Sequence, residues 1–439
     1  MRKIKYRLLV LLFCGIAFTA DVSEPQKFNG FDITSVENQI HYNNPGYELK
    51  DVDKEGAQYT KPEMLDAGTL AEPGEPYLPT VSTYYAIEPG KVFSIQTSVE
   101  QTQIYENVDI LPFHSWENDQ TGNNIEGDVY FDNALFPETI ATISEPIIFR
   151  DITMVQVSIT PFQYNPVTKT LTVIEQLDIE LVENGTTDMP FLPEKRSRAF
   201  ESLYESLIVN YSTLNRDNLE YQRPAILYVL PNNIGNLFGT VEQLMDWKKR
   251  VGYDVQYVSS SNVVNNRNNL KNYIDDAYEN WDNPPVHVTI VGDADGSYDI
   301  PTWSESYSGY NGEGDHPYTT LEGSDPYPEV FIGRMSFSTS SHLNTIISKT
   351  LNYESNPYMN ENWFQRACLV GDPNTSGVSC VITNEHINEI LDLSGFQEVN
   401  TVYGGSFPSQ MVAGINEGIG FFNYRGYYGV SGFGDNDVN

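Results

Sequence analysis

From Pro224 onward, short apolar runs alternate with stretches of helical spacing, and that alternation restricts the second half of the chain to very few architectures. Ile226, Leu227, Tyr228, Val229 and Leu230 form one run, and Leu237, Val241, Leu244 and Met245 then share a helical face. A second run covers 255–258, after which Leu270, Tyr273, Ile274, Ala277, Tyr278 and Trp281 follow i, i+3, i+4, i+7 spacing. Leu343, Ile346, Ile347 and Leu351 mark another helix, 367–370 a strand, and Ile387, Ile390 and Leu391 a helix. The pattern closes with a run at 399–402, a helix through Met411, Val412 and Ile415, and a run at 420–424. Such alternation predicts parallel sheets with helices on both faces.

Within this half, the stretch 286–335 carries most of the polar chemistry. Val286, Val288, Ile290 and Val291, between Pro284-Pro285 and Gly292, read as a strand buried on both faces. Gly292-Asp293-Ala294-Asp295-Gly296 then opens a loop with Glu313, Asp315, His316, Glu322 and Asp325, before Val330-Phe331-Ile332 and Gly333-Arg334. Ligands collect beyond the carboxyl ends of strands in open α/β sheets. A loop of about thirty residues there exceeds what packing requires, which points to function.

The first half has a different grammar. Phe93, Ile95, Thr97 and Val99 alternate with polar residues, as in a half-buried strand. Val155, Val157 and Ile159 alternate likewise, 164–169 supplies turn chemistry around Asn165-Pro166, and Leu171, Val173, Leu177, Ile179 and Leu181 resume the period of two. The expectation is a hairpin within an antiparallel, sandwich-like domain. Residues 184–222 read as a connector whose cluster Lys195-Arg196-Ser197-Arg198 is either an exposed site for a trypsin-like activity or an ordinary basic turn.

The chain has 439 residues, enough for two or three domains. Residues 1–20 have the form of a secretory signal: Arg2, Lys3, Lys5 and Arg7, an apolar core too short to span a bilayer, then small residues. Its removal takes four of the 25 Lys and Arg and none of the 60 Asp and Glu. The resulting surface repels nucleic acid and anionic lipid, and favours solubility and cation binding. Beyond Cys14, only Cys368 and Cys380 remain, so no disulfide framework supports the fold.

Neither cysteine reads as a nucleophile. Cys368 lies inside an apolar strand, and Cys380, near a helix start, has His386 on the far side of that helix. His287 reads as core, His342 as helical, and His316 in the acidic loop as the one substitute base. Glu329 reads as a strand-end carboxylate paired with Arg334 or another cation. Asp293, Asp295, Glu313, Asp315 and Asp325 form a candidate hard-cation site, although the twelve-residue calcium-loop pattern does not continue past Gly296. Zinc-ligand spacing and a Gly-rich phosphate loop are both absent.

Several motifs resemble the gingipain-like cysteine peptidases, family C25. They are Asp315-His316-Pro317-Tyr318, Gly323-Ser324-Asp325 and Pro328-Glu329-Val330-Phe331-Ile332-Gly333-Arg334. In the first half, Gly74-Glu75-Pro76-Tyr77-Leu78-Pro79 and Pro161-Phe162-Gln163-Tyr164-Asn165-Pro166 resemble the family's pro-domain. The resemblance implies a signal at 1–20, a β-rich pro-domain at 21–183, a connector at 184–222, a first α/β subdomain at 223–365 and a caspase-like second subdomain at 366–439. It implies a secreted or surface endopeptidase of Bacteroidetes-type export, acting on protein or peptide substrates, with its pro-domain packed on the catalytic domain and with structural calcium. Phe421-Phe422-Asn423-Tyr424-Arg425-Gly426 resembles the segment preceding the family's catalytic His, whose position here holds Tyr427. The resemblance gives Glu329 the role of orienting that imidazole and places the nucleophilic Cys beyond residue 439, which leaves 1–439 inert by itself. Tyrosine is a weak base near neutrality. A non-catalytic binding protein on a peptidase scaffold is the alternative.

Overall fold

A computed structural model describes residues 32–54, 56–114, 126–216, 218–307, 310–355, 362–373, 377–404, 407–426, 428–429 and 432–433. The expected signal segment and Tyr427 lie outside the described residues. The chain forms two compact units, Met1–Asn344 and Thr345–Asn439. The first joins the β-rich domain, the connector and the first α/β subdomain.

The β-rich domain contains β1 (Asp32–Val36), β2 (Gln39–Asn43), β3 (Glu48–Lys54), β4 (Ala57–Glu63), β5 (Val81–Ile87), β6 (Lys91–Glu106), β7 (Ala141–Ile143), β8 (Ile147–Phe149), β9 (Ile152–Ile159), β10 (Phe162–Asn165) and β11 (Thr170–Thr186). One antiparallel sheet has the order β1-β2-β11-β10, with β6 also on β11, and the other gathers β5, β7 and β8 around β9. Ile40, Tyr42, Leu171 and Ile179 from the first sheet share a core with Val81, Tyr85, Val155 and Val157 from the second. Alternate residues of each strand face that shared core, as a sandwich requires. One expectation is corrected. Ile159 and Leu171 do not belong to one hairpin, because the chain changes sheets at Thr160-Pro161 and the hairpin is β10–β11. Pro161 has no N–H with which to continue a ladder, so β9 ends before it.

The connector holds helix α1 (Arg198–Leu207). Beyond it come β12 (Ala225–Val229), α2 (Phe238–Arg250), β13 (Asp254–Val258), α3 (Ser261–Val264), α4 (Arg267–Asn280), β14 (His287–Val291), β15 (Trp303–Tyr307), β16 (Tyr310–Gly314), β17 (Phe331–Met335) and α5 (Ser340–Ser355). Strands β13-β12-β14-β17 form an all-parallel sheet. Every residue of β12 is buried, which is why its sequence is continuously apolar instead of alternating. Helix α4 begins where the Asn266 side chain accepts from the amides of Asn268 and Asn269 at 3.0 and 3.1 Å. It buries Leu270, Ile274, Ala277 and Tyr278, and ends ahead of Pro284-Pro285.

The second unit contains β18 (Arg366–Gly371), α6 (Ser379–Leu393), β19 (Glu398–Tyr403), α7 (Phe407–Asn416), β20 (Phe421–Arg425), β21 (Tyr428–Gly429) and β22 (Gly432–Phe433). Its main sheet, β19-β18-β20, is parallel throughout. Along β18, Cys368 and Val370 pack with Phe407 and Met411 of α7, whereas Ala367 and Leu369 pack with Leu391 of α6. Strand alternation thus gives each helix its own face. Helix α5 spans the division between the two compact units at 344/345.

Candidate functional site

The acidic loop leaves β14 through Gly292, where any Cβ would lie 2.6 Å from the Tyr298 carbonyl oxygen, so only glycine permits the chain to double back there. The expected long loop contains structure of its own: the β15–β16 hairpin, followed by a turn at His316–Tyr318. Its roots are stapled by Arg334. From β17, the guanidinium makes a bidentate pair with Asp315 at 2.8 and 2.7 Å. The same group donates to the carbonyls of Gly292, Asp293 and Ile300 at 3.2, 3.0 and 2.9 Å. A planar fork suits this task because its donors diverge in fixed directions. Arg334 is therefore not the partner of Glu329.

At the opposite end of the sheet, where β12, β14 and β17 begin, the β-rich domain inserts a turn. Arg150 and Asp151 connect β8 to β9, and Arg150 takes φ +55°, which is uncommon outside glycine. Arg150 is 0% exposed. Its Nη1 donates to the carbonyls of Glu329 and of Pro285, the latter at 3.3 Å, and its Nη2 donates to Gln222 Oε1 at 2.7 Å. Its charged carbon lies 5.2 Å from the Phe200 ring and 5.6 Å from the Tyr278 ring. Burial holds the guanidinium below its ordinary pKa.

The segment 325–329 receives this turn. Asp325 accepts from the amide of Ile148 in β8 and from that of Tyr327, both at 2.9 Å. Tyr327 and Tyr84 share a hydroxyl hydrogen bond, which ties β5 to the same segment. Glu329, also 0% exposed, accepts at Oε2 from the amides of Leu321 and Glu322 at 2.6 and 3.2 Å, while its Oε1 has no partner. Burial pushes its carboxyl up to about 7.

The other residues singled out in the sequence are placed as follows. His316 is exposed, with Nε2 2.9 Å from the Pro326 carbonyl oxygen, and no reactive group stands beside it among the described residues. Asp315 and Asp325 are committed to Arg334 and to Ile148, and Glu313 is an exposed residue of β16. Among the described residues, no three His, Cys, Asp or Glu side chains converge as a metal group would. The cluster at 195–198 is not an open basic turn: Arg196 pairs with Glu201, Ser197 is buried, and Arg198 begins α1 over the Tyr221 ring. His287 is half-buried and stacks on Phe331, and burial lowers its pKa.

The two later cysteines are free. Cys368 faces α7, where its Sγ lies 3.1 Å from the position of a Cβ at Gly414, whereas Cys380 lies against Gly371 on the α6 side. Opposite faces of β18 keep them from pairing. Burial raises the Cys368 thiol, and Cys380 Sγ donates to the Gly377 carbonyl at 3.1 Å, so neither has the surroundings of a reactive thiolate. The sequence reading missed Arg150, Gln222 and Tyr327, because the partners of each lie far away in the chain. A cavity of about 420 Å³ borders the Arg150 seat at Gln222 and Tyr278. It is also walled by Phe191, Lys195 and Trp281.

Residues 33–217 match Propeptide_C25, and residues 220–439 match Peptidase family C25. The chain belongs to peptidase family C25. Gingipain R2 of Porphyromonas gingivalis is 26% identical over 91% of this C25 chain and 56% of its own length. Lys-gingipain of the same organism is 22% identical over 93% of this chain and 24% of its own length. The chain thus spans about half the length, or less, of these curated relatives. Among solved structures, the Arg specific cysteine proteinase gingipain R is 25% identical over 48% of this chain and 48% of its own, with a TM-score of 0.41. The complex of Porphyromonas gingivalis RgpB pro- and mature domains is 24% identical over 42% of this chain and 97% of that chain, with a TM-score of 0.38. No helix among the described residues is long and apolar enough to cross a membrane.

Proposed function

We propose that this chain is the amino-terminal part of a secreted precursor of a cysteine-type endopeptidase, with residues 33–217 serving as its pro-domain. The observation that carries this reading is the succession of the propeptide and peptidase matches, in that order, along one chain. The buried seat of Arg150 among Gln222, Pro285 and Glu329 supports it, since a pro-domain acts by packing on the domain it accompanies.

The reaction is attack by a thiolate on a peptide carbonyl, with donors for the oxyanion and a base beside the thiol. Both later cysteines are core thiols and do not serve as the nucleophile in this reading, in which the family resemblance places it beyond residue 439. The caspase-like arrangement of the second subdomain and the role of Glu329 in orienting the catalytic base belong to this reading. In the pro-domain-bound state, Glu329 is occupied by the Leu321 and Glu322 amides.

The test is peptide hydrolysis by the protein expressed from the gene extended past codon 439, against residues 1–439 alone. Iodoacetamide-sensitive hydrolysis by the extended protein alone is expected. Extended protein that stays inert after removal of its pro-domain sinks the reading and leaves a binding scaffold.

A further inference from the structure

Strand β6 has one open edge. It runs for 16 residues and pairs with β11, from Lys91 opposite Thr186 to Glu106 opposite Thr170. Strands β2 and β10 take the far side of β11, so β6 forms the margin of its sheet, and no other strand among the described residues bonds to it. We propose that two copies of this chain pair along this margin, with Phe93–Val99 running antiparallel to itself about a two-fold axis through Gln96.

An open margin presents a row of unpaired N–H and C=O groups, and natural sheets blunt it with charge, proline, a bulge or a short strand. Such devices occur elsewhere in this domain. Strand β1, at the opposite margin of the same sheet, has only five residues, and β3 carries five charges in its seven. Phe93–Val99 has none of them. Its sequence, Phe-Ser-Ile-Gln-Thr-Ser-Val, holds no charge, proline or glycine, and its register with β11 is regular from Glu183 to Leu177. Uncharged segments of this length and high β-propensity are the ones that pair with their own kind.

The margin also has an uncovered apolar face. Ile95, Thr97 and Val99 stand opposite Leu181, Ile179 and Leu177, which are buried between the two sheets. Along β6 that cover gives out: Phe93 and Ile95 are half-buried, Thr97 is exposed, and Val99 is 44% exposed. An axis through Gln96 lays the partner's Phe93 opposite Val99 and the partner's Ile95 opposite Thr97. On the other face it sets Ser94 opposite the partner's Ser98. The pattern of the segment is the same in both directions, so apolar and β-branched side chains meet on one face and polar ones on the other. Charge fixes the direction. Lys91 and Glu100 flank the segment, and antiparallel pairing brings Glu100 of each copy to the end that holds the other's Lys91, whereas parallel pairing sets like charges level. The Arg150 turn belongs to the other sheet, between β8 and β9, so this pairing leaves its seat unchanged.

The test is sedimentation velocity of the 1–439 protein over a concentration series in about 0.15 M NaCl, where charges more than roughly 8 Å apart are screened and opposed side chains are not. The unaltered protein should show a concentration-dependent equilibrium between monomer and dimer. Gln96→Lys sets two like charges opposite each other on the axis and should weaken the dimer about tenfold or more, as should Gln96→Glu. Within one chain Gln96 faces Glu180, so Gln96→Lys is compatible with the monomer's own fold. An equimolar mixture of the two variants should regain the dimer, because the axis then joins opposite charges. Unaltered protein that stays monomeric overturns the proposal. So does a dimer that both variants leave intact, which places the contact on another surface, and so does a mixture that stays monomeric.

Discussion

Arg150 donates to the main-chain carbonyl of Glu329, 179 residues further along the chain, and both residues are completely buried. This bond joins the pro-domain to the start of β17. The seat also includes the Pro285 carbonyl and Gln222 Oε1, so removing the guanidinium strands three buried acceptors at once. Arg150→Ala should destabilise the protein by roughly 3–5 kcal/mol, the range for breaking a buried charged arrangement from one side. Arg150→Lys should recover only part of this, since one ammonium cannot reach acceptors that diverge around a planar fork. Urea unfolding of the two variants beside the unaltered protein gives the comparison, and equal midpoints for all three would contradict it.

Glu329 predicts a pH dependence of known sign. Burial raises its carboxyl from 4.5 to about 7, so the folded state favours the protonated form. Its contribution to stability is present in full below pH 4.5 and is lost as pH rises through about 7. The loss amounts to roughly 3 kcal/mol. Glu329→Gln, which stays neutral, should flatten this part of the profile and raise the melting temperature at pH 8 more than at pH 5. Thermal melts at the two pH values test it.

The Arg334 staple should be visible in loop dynamics. Arg334→Lys forfeits the bidentate pair with Asp315 and most of the bonds to the Gly292, Asp293 and Ile300 carbonyls. A cost of roughly 2 kcal/mol is expected for a partly buried charge-assisted pair. Amide hydrogen exchange across 293–320 should accelerate, with protection in β12 and β14 retained.

Gly292→Ala tests the tight turn at the root of the same loop. The added methyl meets the Tyr298 carbonyl oxygen, which is backbone and cannot rotate away. The substitution should cost about 1–3 kcal/mol through forced displacement. Gly296→Ala, with nothing within 4 Å of its Cβ but a φ of +88°, should cost about 1 kcal/mol through backbone strain alone. Chemical denaturation of the pair separates crowding from conformation.

Elements whose cause is local were legible in the sequence. The helical spacing around Leu270, Ile274 and Tyr278 gave α4, and the unbroken apolar run at 226–230 gave β12 as an interior strand. The sheet change at Pro161 was missed because alternation continues across it, and period two says nothing about which sheet a strand joins. Asp315 and Asp325 were grouped as cation ligands because both are acidic and share a loop, yet one meets Arg334 and the other meets Ile148, 177 residues away. Burial of Arg150 had no signal in its neighbours. Sequence shows which residues carry charge, while the fold decides which charges meet.

The staple has a practical consequence. Because Arg334 and Asp315 grip the base of the acidic loop, with Thr302 also bonded to Asp315 and Gly314, the β15–β16 hairpin is held firmly at its root. A foreign peptide spliced between Tyr307 and Tyr310 would lengthen the hairpin outward and leave the sheet beneath it intact. The hairpin is thus a ready attachment point for an affinity tag or a fluorescent reporter on the precursor, with which the separation of pro-domain from peptidase could be followed as it happens.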